Sequence, residues 1–135
     1  MRNYKILLVF ILILVLNGCG FNKQVEVVPN YFVIEVDSPD DLDICYKLNN
    51  EGYLGLLGGR LIGLYQKKDL LVAIKKPKFV MNDSMPEYYI IPVYKEGELD
   101  PSKGILGPLD SIELHKELQN LGTKLNQFKK FNLIQ

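Results

Sequence analysis

Side chains able to do chemistry are sparse in this chain. Its one histidine, His115, directly follows Leu114 in a stretch with helical leucine spacing. Adjacent helix positions point about 100° apart, which turns the imidazole off the apolar stripe, to its margin or into solvent. No cysteine or second histidine stands at zinc-ligand spacing from it. None of the four serines (Ser38, Ser84, Ser102, Ser111) begins a Ser-x-x-Lys, and no Gly-x-Ser-x-Gly occurs, so nucleophilic hydrolysis has no motif to stand on. Asp37, Asp40, Asp41 and Asp43 form the densest acidic cluster. An EF-hand loop needs oxygen ligands at alternate positions, a central glycine and a distal glutamate. Pro39 and Leu42 interrupt that pattern, so these carboxylates are expected to cap a helical turn and to be solvated. The glycines at 52, 55, 58, 59 and 63 do not make a phosphate loop, which needs Gly-Lys-Ser/Thr opening a helix. The expectation is a protein that is not an enzyme and holds no metal or cofactor.

Binding is better represented than catalysis. Tyr88-Tyr89-Ile90-Ile91-Pro92-Val93-Tyr94 is the most aromatic strand-like run. Pro92 cannot donate a ladder hydrogen bond, which puts this strand at a sheet edge or gives it a bulge near its end. Tyr88, Tyr89 and Tyr94 are therefore the candidate partner-binding residues, because aromatic side chains on an edge strand can anchor a partner whose backbone adds a strand. Cys45 alternates onto the face of Asp43 and Lys47, where it is an inert buried thiol if that face is covered and a pairing site if it is not. Lys67-Lys68 and Lys75-Lys76-Pro77-Lys78 would make a basic rim if the fold brought them together.

The elements that must position these residues are mostly strands. Short β-rich runs separated by turn residues begin at Tyr31, and Ala73 is the only alanine, which argues against a helical bundle. Tyr31 to Val36 and Leu42 to Leu48 read as strands, with Ser38 and Pro39 between them suited to start a single helical turn. Gly58-Gly59 is expected to make a tight hairpin between Tyr53–Leu57 and Arg60–Gln66. Lys67-Lys68-Asp69 turns the chain into Leu70 to Lys76. A helix over 111–121 is signalled by Asp110 as cap, Glu113 three residues on, the flanking pair Leu109 and Leu114, and Gly122 past its end. Leu114, Leu118, Leu121 and Leu125 mark its apolar face. The fold class is thus α+β: a small, mainly antiparallel sheet of five or six strands with one C-terminal helix packed on one face.

The start of the chain is different in kind. Arg2 and Lys5 precede Ile6 to Leu16, eleven apolar residues without a break. That is too short to span a bilayer, which takes roughly 18–20, and it fits an export signal. Leu16-Asn17-Gly18-Cys19 then resembles the bacterial lipobox. The resemblance implies cleavage between Gly18 and Cys19 by signal peptidase II and diacylglycerol on the Cys19 thiol, with palmitate-type acyl chains as the anchor. Two or three such chains hold a protein to a membrane stably where one would be marginal. Residues 1–18 are thereby a lipoprotein signal peptide, 19–30 a lipidated tether and 31–135 a single globular domain. As a flexible coil, the eleven residues from Gly20 to Asn30 would span on the order of 18 Å.

The whole chain has 16 basic and 16 acidic residues, and loss of Arg2 and Lys5 leaves it slightly acidic. With no long basic tract, nucleic acid is not an expected partner. Tyr31 to Leu48, Leu71 to Pro77, Tyr88 to Pro92 and Gly107-Pro108-Leu109 together resemble a family of short, uncharacterised bacterial proteins, the domain of unknown function DUF3997. That resemblance implies domain boundaries and no activity. The function expected is a cell-envelope lipoprotein on the cell membrane or outer membrane, facing periplasm or exterior, with membrane lipid and an envelope protein as partners. Gly20 is not the aspartate that, in such lipoproteins, signals retention in the inner membrane. The alternative is an inhibitor or immunity-type lipoprotein neutralising a toxin or lytic enzyme through the loop Asp37 to Asp43 or Asn82 to Tyr89.

Overall fold

A computed structural model describes residues 23–133 apart from 39, 50, 51 and 78–84. The expected leader, Cys19 and the residues up to 22 lie outside the described residues. Two antiparallel sheets and one helix make up the described part. The first sheet is a meander in chain order: β1 (Gln24–Val28), β2 (Tyr31–Glu35), β3 (Leu42–Lys47) and β4 (Tyr53–Gly55). The second contains β5 (Leu61–Lys67), β6 (Leu70–Lys75), β7 (Glu87–Pro92), β8 (Leu106–Leu109) and β9 (Lys129–Lys130), in the order β8-β7-β6-β5-β9. Helix α1 spans Ser111–Asn120.

Period-two alternation explains the layering. Tyr31, Val33, Leu42, Ile44 and Tyr46 project from one face of the first sheet onto Leu61, Leu64, Leu71, Ala73 and Ile91 of the second, and all ten are buried. From the other face of the second sheet, Val72 and Ile90 meet Leu114, Leu118 and Phe128. The order of layers is therefore sheet, sheet, helix, and the second sheet is covered on both sides. The fold is α+β with a C-terminal helix on one sheet face, as the sequence implies. Its strands number nine among the described residues, above the five or six expected, and they divide between two sheets.

The division traces to Gly58-Gly59. Instead of joining a hairpin, β4 pairs with β3 and β5 pairs with β6 and β9. Gly58, Gly59 and Arg60 all have positive φ, 72°, 86° and 62°, and this run carries the chain from one sheet to the other. The hairpin at Lys68-Asp69 forms as expected, with Lys67 opposite Leu70.

The tether boundary also needs correction. Gln24–Val28 is a strand, with Val25 opposite Val33, and Val27 and Val28 pack on the core. Pro29-Asn30, where Asn30 has φ 71°, is the turn of the β1–β2 hairpin. At Asp37 to Asp41, Asp41 donates its N–H to Ser38 C=O at 2.9 Å and Val36 donates to Asp41 C=O at 2.9 Å, bonds that close the β2–β3 hairpin; Pro39, the expected first helical position, lies outside the described residues.

Helix α1 has the expected capping box. Asp110 accepts from the N–H groups of Ile112 and Glu113, both at 2.8 Å, and the Glu113 carboxylate accepts from Asp110 N–H at 2.9 Å. At the other end Gly122 N–H donates to Gln119 C=O and Thr123 N–H to Leu118 C=O, the paired bonds of a Schellman motif. This stop shortens the leucine stripe: Leu114 and Leu118 are buried, whereas Leu121 caps the helix and stays 49% exposed. No helix among the described residues is long and apolar enough to cross a membrane.

Candidate functional site

Both sheets point the same way at their ends. The β4–β5 connection joins the end of β4 to the start of β5, so the end holding Lys23, the 36–41 loop, Leu61 and Lys75 is one end of the molecule. Tyr31, Tyr46, the end of β7 and the 93–104 loop form the other.

At the first end two aspartates and a lysine clasp the connection between the sheets. Asp41 and Asp43 lie on one face of the chain entering β3. Asp43 accepts from Leu57 N–H and Gly58 N–H, both at 3.2 Å, and Asp41 accepts from Arg60 N–H at 2.8 Å. A side chain at Gly55 would place a Cβ 2.6 Å from the Asp43 carboxylate, and one at Gly59 would meet Asp41. From the second sheet, the buried Lys75 ammonium donates to Leu57 C=O and stands 6.0 Å from the centre of the Tyr89 ring. Arg60 donates its guanidinium to Pro77 C=O at 3.1 Å. Burial raises the Asp43 carboxyl above its ordinary pKa, and the N–H groups of Gly59, Leu57 and Gly58 hold it back in part. Asp41 and Asp43 are thus spent on backbone amides, a use that capping arithmetic on Ser38 and Pro39 missed, while Asp37 and Asp40 are exposed. Its readable signal was Asp41-x-Asp43 on one strand face together with two adjacent glycines. Among the described residues no group of three or more His, Cys, Asp or Glu side chains is placed to hold a metal.

Beside Asp43, on the outward face of the first sheet, Cys45 is buried and unpaired. Phe32 and Tyr53 flank it across the sheet, their rings edge to face with centres 5.3 Å apart. Burial first, and the Asp43 charge second, push the Cys45 thiol up to about 12. A thiol so poised is almost entirely protonated at neutral pH and is a poor nucleophile.

The candidate tyrosines do not form an open edge. Strand β7 lies between β6 and β8, so its backbone is not free to take an added strand. Its pairing with β8 is irregular between Tyr88 and Ile90, and Pro92 falls past the last pair with β8, where no ladder bond from that strand is lost. Tyr88 packs with the helix-side core and Tyr89 with the core between the sheets. Tyr89 donates its hydroxyl to Glu87 at 3.0 Å, and Tyr94 to Lys103 C=O at 2.7 Å. All three are partly buried and engaged within the chain, so the correction concerns the open edge: β7 is an interior strand of its sheet.

The far end is held by two other tyrosines. Tyr31 donates its hydroxyl to Pro92 C=O at 3.0 Å and accepts from Tyr94 N–H at 2.9 Å. Tyr46 donates to Lys95 C=O at 2.6 Å and accepts from Glu98 N–H at 3.2 Å. Burial raises the pKa of Tyr31. The basic rim does not assemble, since Lys67 and Lys75 sit at opposite ends of the β5–β6 hairpin. His115 is exposed, with Nδ1 2.6 Å from Ser111 C=O, as its place off the stripe implied.

A large concavity lies at the clasped end. It is an open cleft of about 1040 Å³ between the start of β3, the start of β5 and the C-terminal segment after β9. Leu42, Leu61, Phe131 and Leu133 form its apolar part; Lys76 and Lys130 are its basic side chains and Asp40 its one acidic one. Ile62, pushed outward where the β5–β6 register slips between Leu61 and Gly63, is 45% exposed at its wall. Both lysines are exposed. The volume is at the upper end of that of sites for small ligands.

No family model matches the chain, and neither a curated protein nor a solved structure matches it.

Proposed function

We propose that this protein is a bacterial cell-envelope lipoprotein, exported by its leader, cut between Gly18 and Cys19, acylated on Cys19 and acting outside the cytoplasm as a membrane-tethered binding or structural module. One observation carries the reading: Cys19 follows Leu16-Asn17-Gly18 at the end of an eleven-residue apolar run that opens with Arg2 and Lys5. The folded part is compatible with it, since β1 begins at Gln24 and four residues separate Cys19 from that strand. Fully extended, four residues reach about 14 Å, so the tether holds the domain close to the lipid surface. In the inhibitor reading, Asp37 and Asp40 are the exposed carboxylates of the first loop, since Asp41 and Asp43 are turned inward onto backbone amides.

Growth with labelled palmitate tests the proposal. The unaltered protein is expected to take up label and to sediment with membranes, and Cys19→Ala to do neither. Label retained on the alanine variant would overturn it.

A further inference from the structure

The clasped end is also the end at which the chain leaves for Cys19. Lys23 is fixed there: its C=O accepts from Glu35 N–H at 3.1 Å, at the edge of the first sheet. Only Gly20 to Lys23 separate the acylated thiol from β1, about 14 Å at full stretch. The six residues of β6 alone run about 20 Å from this end towards the other. An inverted domain would need Lys23 at least that far above the lipid, beyond what the tether reaches.

The same end carries side chains suited to a lipid surface. Ile62 is 45% and Met85 73% exposed, and the cleft beside Ile62 presents Lys76 and Lys130 against a single carboxylate, Asp40. Neither lysine forms an ion pair among the described residues. Amphipathic lysines and isolated apolar side chains are what sits in the head-group layer, the ammonium meeting phosphate and the apolar tips entering the acyl boundary.

We infer that the domain seats its clasped end on the bilayer, with Ile62 and Met85 in the interface and the cleft between the sheets open to the phosphate of a phospholipid head group, held by Lys76 and Lys130. This seating rests on the lipidated reading of Cys19 and adds to it an orientation and a lipid contact.

The chain has no tryptophan, so single substitutions report position directly. Ile62→Trp, Met85→Trp and, at the far end, Leu99→Trp are made in the full lipidated chain and reconstituted in phosphatidylglycerol–phosphatidylcholine vesicles whose acyl chains are brominated near the head group. Leu99 is 94% exposed, in the loop that Tyr46 holds at the other end, and serves as the reference. The expected result is fluorescence cut to about half or less at positions 62 and 85 and unchanged at 99. Adding Lys76→Glu and Lys130→Glu is expected to relieve the quenching at 62 while palmitate label is retained. Label present with no quenching at 62 and 85, or with equal quenching at 99, overturns the seating and leaves the lipoprotein reading standing. Quenching at 62 that survives both lysine substitutions overturns the head-group contact. Absence of label from every variant overturns the lipoprotein reading, and the seating with it.

Discussion

Asp43 holds two loop amides with its two carboxylate oxygens, one each, and it does so almost out of water. Asp43→Asn replaces one acceptor by an NH₂ group facing an N–H, and a buried donor left without a partner costs about 1–3 kcal/mol; urea unfolding at pH 7 measures it. The pH dependence has a definite sign. Burial raises the folded-state pKa above the unfolded one, so the folded protein binds this proton more tightly. The penalty is complete above the folded value and is relieved as pH falls through it towards the unfolded value. Stability of the unaltered protein relative to Asp43→Asn is therefore expected to grow on acidification through that window, and unfolding curves at stepped pH check it. For Cys45, a thiol pushed up to about 12 predicts negligible reaction with an aromatic disulfide reagent in the native state and full reaction in urea. Fast native labelling would show that the outward sheet face opens.

At the scale of elements, the connection from β4 to β5 decides the architecture. Gly58 and Gly59 both have positive φ, where a Cβ costs about 1–2 kcal/mol. At Gly58 a Cβ meets nothing within 4 Å, whereas at Gly59 it meets the Asp41 carboxylate that holds Arg60. Gly59→Ala is expected to destabilise more than Gly58→Ala by the loss of that clasp, about 1 kcal/mol or more, read as the difference in urea midpoint. Helix α1 was legible residue by residue, because Asp110, Glu113 and Gly122 act on their own neighbours. The Lys68-Asp69 hairpin was legible for the same reason. Gly58-Gly59 was not, since adjacent glycines announce positive φ without saying which strands lie on either side, and the answer depends on carboxylates 14 to 19 residues away. The edge placement of β7 failed through Pro92: a proline excludes a ladder bond, and the fold meets that by ending β8 short of it. Strand β1 was hidden because Gln24 and Glu26 on an edge strand look like linker until their partners in β2 are known.

Across the whole molecule, β6 and β7 serve both cores: Leu71, Ala73 and Ile91 on one side, Val72 and Ile90 on the other. Leu64→Ala between the sheets and Leu118→Ala under the helix are each expected to cost about 2–5 kcal/mol and to lower one common transition, followed by far-ultraviolet circular dichroism. Separate melting of the helix would contradict a shared middle layer. The cleft could not be read from the sequence at all, since Asp40, Lys76 and Lys130 come from three distant segments that only the sandwich brings together. The meander of the first sheet has one more implication. An exported chain leaves its translocation channel amino terminus first, and by Gly55 this sheet has every strand it needs. Its apolar face then waits for β5 to β7, and the Tyr31 hydroxyl for a carbonyl 61 residues later. Under the export proposed above, a sticky half-sandwich stands at the channel mouth during that interval, so the speed of translocation is expected to set how much of this protein aggregates, more than final stability does.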